Sequence, residues 1–74
     1  MGAKRDTEYL MALGNRIRSL RTSKNWSQYD LAETSDLERS QIARIELGKL
    51  NPKICSLKSI AEALDVSVSE LLNF

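Results

Sequence analysis

The chain has 74 residues, 42% of them hydrophobic and 28% charged, with a single Cys and no His. A domain of this size buries only about 60% of the surface its unfolded chain exposes, so a compact helical bundle, with a partner subunit plausible, is favoured. One Cys excludes an internal disulfide, and no apolar run reaches the roughly 18 residues of a membrane span. The lone Cys55 and the lack of a secretory signal predict a reducing, cytoplasmic setting. Net charge is only +1, so a nucleic-acid surface would have to be local. Basic residues gather early: Lys4, Arg5, Arg16, Arg18, Arg21 and Lys24 face only Asp6 and Glu8, and the remainder is net acidic.

A flexible segment is expected over residues 1–7, followed by a single domain over 8–74. The first helix is expected to start near Asp6–Glu8, because Leu10, Leu13, Ile17 and Leu20 recur on one helical face. Asp6 and Glu8 suit the positive end of its dipole, and Arg21 and Lys24 the negative end. Asn25 closes it.

Ser27-Gln28-Tyr29-Asp30 is a capping box with Asp in place of Glu, and Trp26 with Leu31 can form the accompanying staple. This second helix stops near Thr34. Ser35-Asp36-Leu37 is a tight turn. A third helix is expected from Arg39 to Leu47, with Ile42 and Ile45 inward and Gly48 ending it in a left-handed conformation. A loop holding the only Pro, Pro52, leads to a fourth helix, for which Ser56 is the expected cap, burying Leu57, Ile60, Ala61 and Leu64. Ser67 and Glu70 form a second capping box for a fifth helix, stapled by Val66 and Leu71. The fold class is therefore all-α, a compact five-helix bundle.

Two short helices joined by a three-residue turn pack at a steep angle, the geometry of a helix-turn-helix. Ala32 supplies the small residue needed at the crossing. Asp36 stands where the turn needs a positive φ, which Asp tolerates. Leu31, Leu37, Ile42 and Ile45 fill the space between the helices. The other face of the third helix, Glu38, Arg39, Ser40, Gln41 and Arg44, is polar throughout.

On these residues the chain resembles the Cro/repressor-type (XRE) helix-turn-helix family. The likeness runs through Ser27-Gln28, Leu31-Ala32-Glu33, Ser35, Leu37, Arg39-Ser40, Ile42, Arg44-Ile45-Glu46 and Gly48-Lys49. Downstream, Leu57, Ile60-Ala61, Ala63-Leu64, Val66-Ser67 and Glu70-Leu71-Leu72 are similar to that family's fourth and fifth helices, so the likeness covers residues 10–74. It implies a lambda-repressor-like DNA-binding domain. Glu38 departs from the usual Ser or Thr cap; an acidic residue followed by Arg and Ser resembles the small controller proteins of restriction–modification systems.

The resemblance implies roles for individual residues. Arg39 and Ser40 lie where base edges are read, and Arg39 can make two hydrogen bonds to guanine O6 and N7. Arg44 reaches a base or a phosphate, Gln41 lies beside the groove, and Gln28 meets the phosphate backbone at a helix N-terminus. Glu38 accepts from cytosine N4, or it orients Arg39. Lys49, Asn51 and Lys53 follow the third helix where the family loop touches phosphates. Arg21 and Glu46 are expected to pair structurally. Arg16 and Arg18 add to the field around DNA or simply solvate the first helix.

Val68, Leu71, Leu72 and Phe74 are apolar beyond what a thin core needs, which predicts a homodimer on a palindromic operator. Tyr9 and Tyr29 either touch DNA or pack on the surface. Cys55 is expected to be a small buried filler. An enzyme is not expected: there is no metal-ligand cluster, no Gly-rich phosphate loop and no nucleophilic set. No metal, cofactor, small-molecule ligand or membrane partner is expected. The expected function is transcriptional regulation in a bacterial or phage cytoplasm, at the nucleoid when bound. An antitoxin or a protein-interaction module on the same fold is the alternative.

Overall fold

The computed structural model describes residues 3–74, with side chains from residue 6 onward. Within them lie α1 (Ala3–Ser23), α2 (Gln28–Ser35), α3 (Arg39–Glu46), α4 (Ile54–Ala63) and α5 (Val68–Leu71). Of the expected flexible segment 1–7, residues 1 and 2 lie outside the described residues and the rest fall in α1, which begins ahead of Asp6. The side chains of Lys4 and Arg5 also lie outside them.

The first four helices end alike. Asn25, Asp36, Gly48 and Asp65 take φ of 60°, 59°, 73° and 62°, each just past a helix. In each case the next residue's N–H reaches back five residues: Trp26 to the Arg21 carbonyl, Leu37 to Ala32, Lys49 to Arg44 and Val66 to Ala61. The left-handed residue itself donates to the carbonyl three residues before it. This is the Schellman ending, which satisfies carbonyls that a helix terminus leaves open. Trp26, Leu37 and Val66, the residues directly after the left-handed position, all pack on the core.

Both capping boxes form. Ser27 Oγ accepts from the Asp30 N–H at 3.1 Å while Asp30 Oδ2 accepts from the Ser27 N–H at 2.8 Å. Ser67 and Glu70 repeat the exchange at 3.0 and 2.9 Å. The start of α4 differs from expectation. The cap position is Lys53, with extended backbone and no side-chain cap, and Ser56 lies within the helix. The Leu57 N–H already bonds the Lys53 carbonyl at 3.1 Å, so an extra turn forms directly after Pro52 without help from a Ser cap. That turn carries Ile54 and Cys55, both exposed. Cys55 is therefore not the buried filler its small apolar character predicts, because it lies on the solvent side of an added turn.

α1 packs against α3 and α5, α2 against α3 and α4, and α4 against α5. One core joins them: Leu13 and Ile17, Leu31 and Ala32, Ile42 and Ile45, Leu57, Ile60, Ala61 and Leu64, and Leu71. Gly14 lets α1 and α3 approach: a Cβ there would sit 2.5 Å from the Ile45 carbonyl oxygen, and against that of Glu46. No helix of the described residues is long and apolar enough to cross a membrane.

Candidate nucleic-acid interface

The second and third helices are held by one buried carboxylate. Arg21 at the end of α1 grips Glu46 at the end of α3 with one edge of its guanidinium, Nε to Oε2 at 2.7 Å and Nη2 to Oε1 at 2.9 Å. Its remaining Nη1 donates to the Trp26 carbonyl at 2.7 Å. The Glu46 side chain is fully buried and that of Arg21 nearly so. A bidentate, fully satisfied pair is the arrangement in which burying charge is tolerable. Gln28, the first residue of α2, donates its amide to Glu46 Oε1 at 3.1 Å, and Arg18 Nε stands 3.6 Å from the same oxygen. Burial pushes the Glu46 carboxyl up, but hydrogen bonds from Arg21 and Gln28 and the charges of Arg21 and Arg18 outweigh this and hold it below the ordinary value. One side chain thus fixes the ends of α1, α2 and α3 relative to each other.

That anchoring leaves the outer face of α3 open. Ile42, Ile45 and Glu46 face inward. Glu38, Arg39, Ser40 and Arg44 are exposed and Gln41 is half-buried. Glu38 occupies the cap position with extended backbone, and its carboxylate makes no cap bond. Among the described residues no hydrogen bond or ion pair joins Arg39 to Glu38 or Gln41, so its guanidinium is available. Lys49, Asn51 and Lys53 are exposed on the loop after α3; Asn51 also borders a cleft with Asp6, Tyr9, Pro52 and Leu72.

The remaining sequence candidates divide. Gln28 is half-buried and already bonded to Glu46, a tie that its sequence position did not disclose. Leu71 is fully buried within the subunit and is a core residue, so its side chain has no surface to offer a second copy. It lies on the inner side of α5, whereas Val68 and Leu72 are half-buried and Phe74 is exposed. Tyr9 packs on Phe74 with ring centroids 5.0 Å apart, and the exposed Tyr29 donates to Glu33 at 3.1 Å. Arg16 donates twice to the Glu70 carbonyl, fastening α5 to α1. Gly14 was not among the candidates. Its signal was present, since a Gly inside a helical pattern costs about 1 kcal/mol against Ala and implies a packing reason.

These features define an all-α helix-turn-helix DNA-binding domain. The helix-turn-helix family profile matches residues 17–71. The chain belongs to that family, in its Cro/repressor (XRE) type. Control protein C.BamHI of Bacillus amyloliquefaciens is 38% identical over 65 residues, covering 86% of this chain and 80% of that protein. The immunity repressor protein of Bacillus phage phi105 is 37% identical over 62 residues, covering 84% of this chain. The chain spans 43% of that repressor's length and 31% of the similar transcriptional activator BcrR of Enterococcus faecalis. The crystal structure of the restriction–modification controller C.AhdI from Aeromonas hydrophila superposes with a TM-score of 0.82 at 40% identity, covering 84% of this chain and 94% of that one. These relatives bear the names of a repressor, a transcriptional activator and a control protein, not of enzymes.

Proposed function

We propose that the chain binds a two-fold symmetric operator as a homodimer, laying α3 of each subunit in the major groove, in the cytoplasm. The observation that carries the reading is the two-sided character of α3. Its inner face is buried to the last atom of Ile42, while Arg39, Ser40 and Arg44 stand exposed on the other. A helix eight residues long reads only a few base pairs, so two copies about 34 Å apart give the site its length. Half-buried Val68 and Leu72 with exposed Phe74 offer the apolar edge for pairing. Arg39 reads guanine with two hydrogen bonds, Ser40, Gln41 and Arg44 support it, and Glu38 faces cytosine N4 or aims Arg39. Gln28, Lys49, Asn51 and Lys53 hold phosphates.

Selection from random duplexes tests this. The expected product is a palindrome with half-sites one helical turn apart. Arg39→Ala is expected to cost about 1–3 kcal/mol and to relax preference at one position in each half-site. An unaltered preference, or sedimentation of a monomer on the selected duplex, overturns it.

A further inference from the structure

The described basic side chains of α1 and of the turn after it have different uses. Arg16 is bonded to the Glu70 carbonyl through Nε and Nη2. Arg21 is buried and fully bonded. Lys24 lies over the Trp26 ring, 5.4 Å from its centroid. Arg18 alone of these stands with its guanidinium at the surface and uncommitted at its outer edge. Its side chain is 47% exposed, only Nε faces Glu46, and among the described residues its two Nη groups meet no protein acceptor.

Gln28 approaches the same Glu46 oxygen, so the two side chains stand together. Its amide nitrogen carries two hydrogens, one of which is used on Glu46. They also stand at the positive end of α2. The Ser27 and Asp30 N–H groups are used in the capping box and that of Leu31 bonds the Ser27 carbonyl. Those of Gln28 and Tyr29 have no acceptor among the described residues. Charge completes the picture: Arg21 already matches Glu46 with two short bonds, so the charge of Arg18 is in excess.

We infer that Arg18 and Gln28 form a clamp on a single DNA phosphate, with Glu46 as the positioning residue that aims both. The two Nη groups of Arg18 meet one phosphate oxygen and the second amide hydrogen of Gln28 the other, beside the free N–H groups of α2. Gln28 keeps its hydrogen bond and Arg18 its ion-pair contact on Glu46, so little side-chain freedom is lost when DNA arrives. The clamp rests on the DNA-binding reading above, and it adds Arg18, which sequence left between a field effect and plain solvation.

The test is the salt dependence of binding, for the selected operator and for an unrelated duplex, with wild type, Arg18→Ala, Gln28→Ala and the double variant. Thermal melting first establishes that each variant is folded. Arg18→Ala is expected to lower the slope of log K against log salt by about 0.9 on both duplexes, as loss of one phosphate contact does. Base preference is expected to stay unchanged. Because the two residues share one phosphate, the double variant is expected to lose clearly less affinity than the product of the single losses. An unchanged slope for Arg18→Ala, while Arg39→Ala still relaxes preference, overturns the clamp and leaves the DNA reading standing. Losses that multiply independently also overturn it, since two phosphates would then be involved. Failure of the wild type to bind any duplex overturns the DNA reading beneath it.

Discussion

Gly14 in α1 faces the backbone of Glu46 in α3 so closely that a Cβ at residue 14 would lie 2.7 Å from the Glu46 carbonyl carbon. The obstacle is backbone on both sides, so neither helix can yield by a side-chain rotation. Gly14→Ala gains about 1 kcal/mol of helix propensity, yet it forces the helices apart. A net destabilisation of about 1–3 kcal/mol is expected from overpacking. Urea unfolding measures it; a Gly14→Ala variant as stable as the wild type would show that the helices separate freely.

The Arg21–Glu46 pair is expected to be costly to break and much cheaper to replace. Arg21→Ala leaves the Glu46 carboxylate buried with only Gln28 and Arg18 nearby. A loss of about 3–5 kcal/mol is expected, most of the stability of a marginal domain. Arg21→Met combined with Glu46→Leu removes both charges and is expected to recover part of that loss. A double variant less stable than Arg21→Ala alone would contradict this.

Acid sensitivity follows from the same carboxylate. In the folded chain Glu46 titrates below its ordinary value of 4.5, because hydrogen bonds from Arg21 and Gln28 and nearby charge outweigh burial. A depressed folded pKa adds stability that is present above the ordinary value and lost as pH falls through the folded one. Glu70, held by the Ser67 backbone and hydroxyl, shifts in the same direction. Stability is therefore expected to decline below about pH 4.5. The gap between wild type and Glu46→Gln in melting temperature is expected to narrow as pH falls. A gap that stays constant from neutral pH down to acid unfolding would exclude Glu46 as the source.

Leu71 and Phe74 separate folding from pairing. Leu71 is fully buried in the subunit while Phe74 is exposed. Leu71→Ala is expected to destabilise the fold by about 2–5 kcal/mol. Phe74→Ser is expected to leave melting of the dilute protein nearly unchanged and to weaken self-association in sedimentation. Equal effects of both on melting would contradict the assignment.

Much of the architecture was legible because local signals agreed. Two capping boxes, the helix stops at Asn25 and Gly48, and the apolar spacing of Leu13 with Ile17 fixed helix type and sequence position. Asp36, an acid where a glycine is usual, still adopted φ of 59°. The Arg21–Glu46 pair came only from family resemblance, since residues 25 apart give no local sign of contact. The parts that escaped depend on three-dimensional placement. Ser56 has a strong capping preference, but the backbone bond from Leu57 to Lys53 had already extended α4. Cys55 followed that extension to the surface. Apolar character at Leu71 does not tell which side of a four-residue helix it faces. Gln28 and Arg18 meet on Glu46 only because α1, α2 and α3 converge there.

The repeated helix endings also bear on how the chain finds its structure. Each of the first four helices stops on a single left-handed residue, and in three of them the next residue drops straight into the core. Two of the packed pairs, α2 with α3 and α4 with α5, therefore meet across short loops, and little chain entropy is lost in bringing them together. Contacts of low sequence separation close fastest. Folding should be complete on the order of microseconds to milliseconds, with the α1–α3 crossing at Gly14 among the last contacts to close, because it spans the longest stretch of chain among the contacts that frame α3.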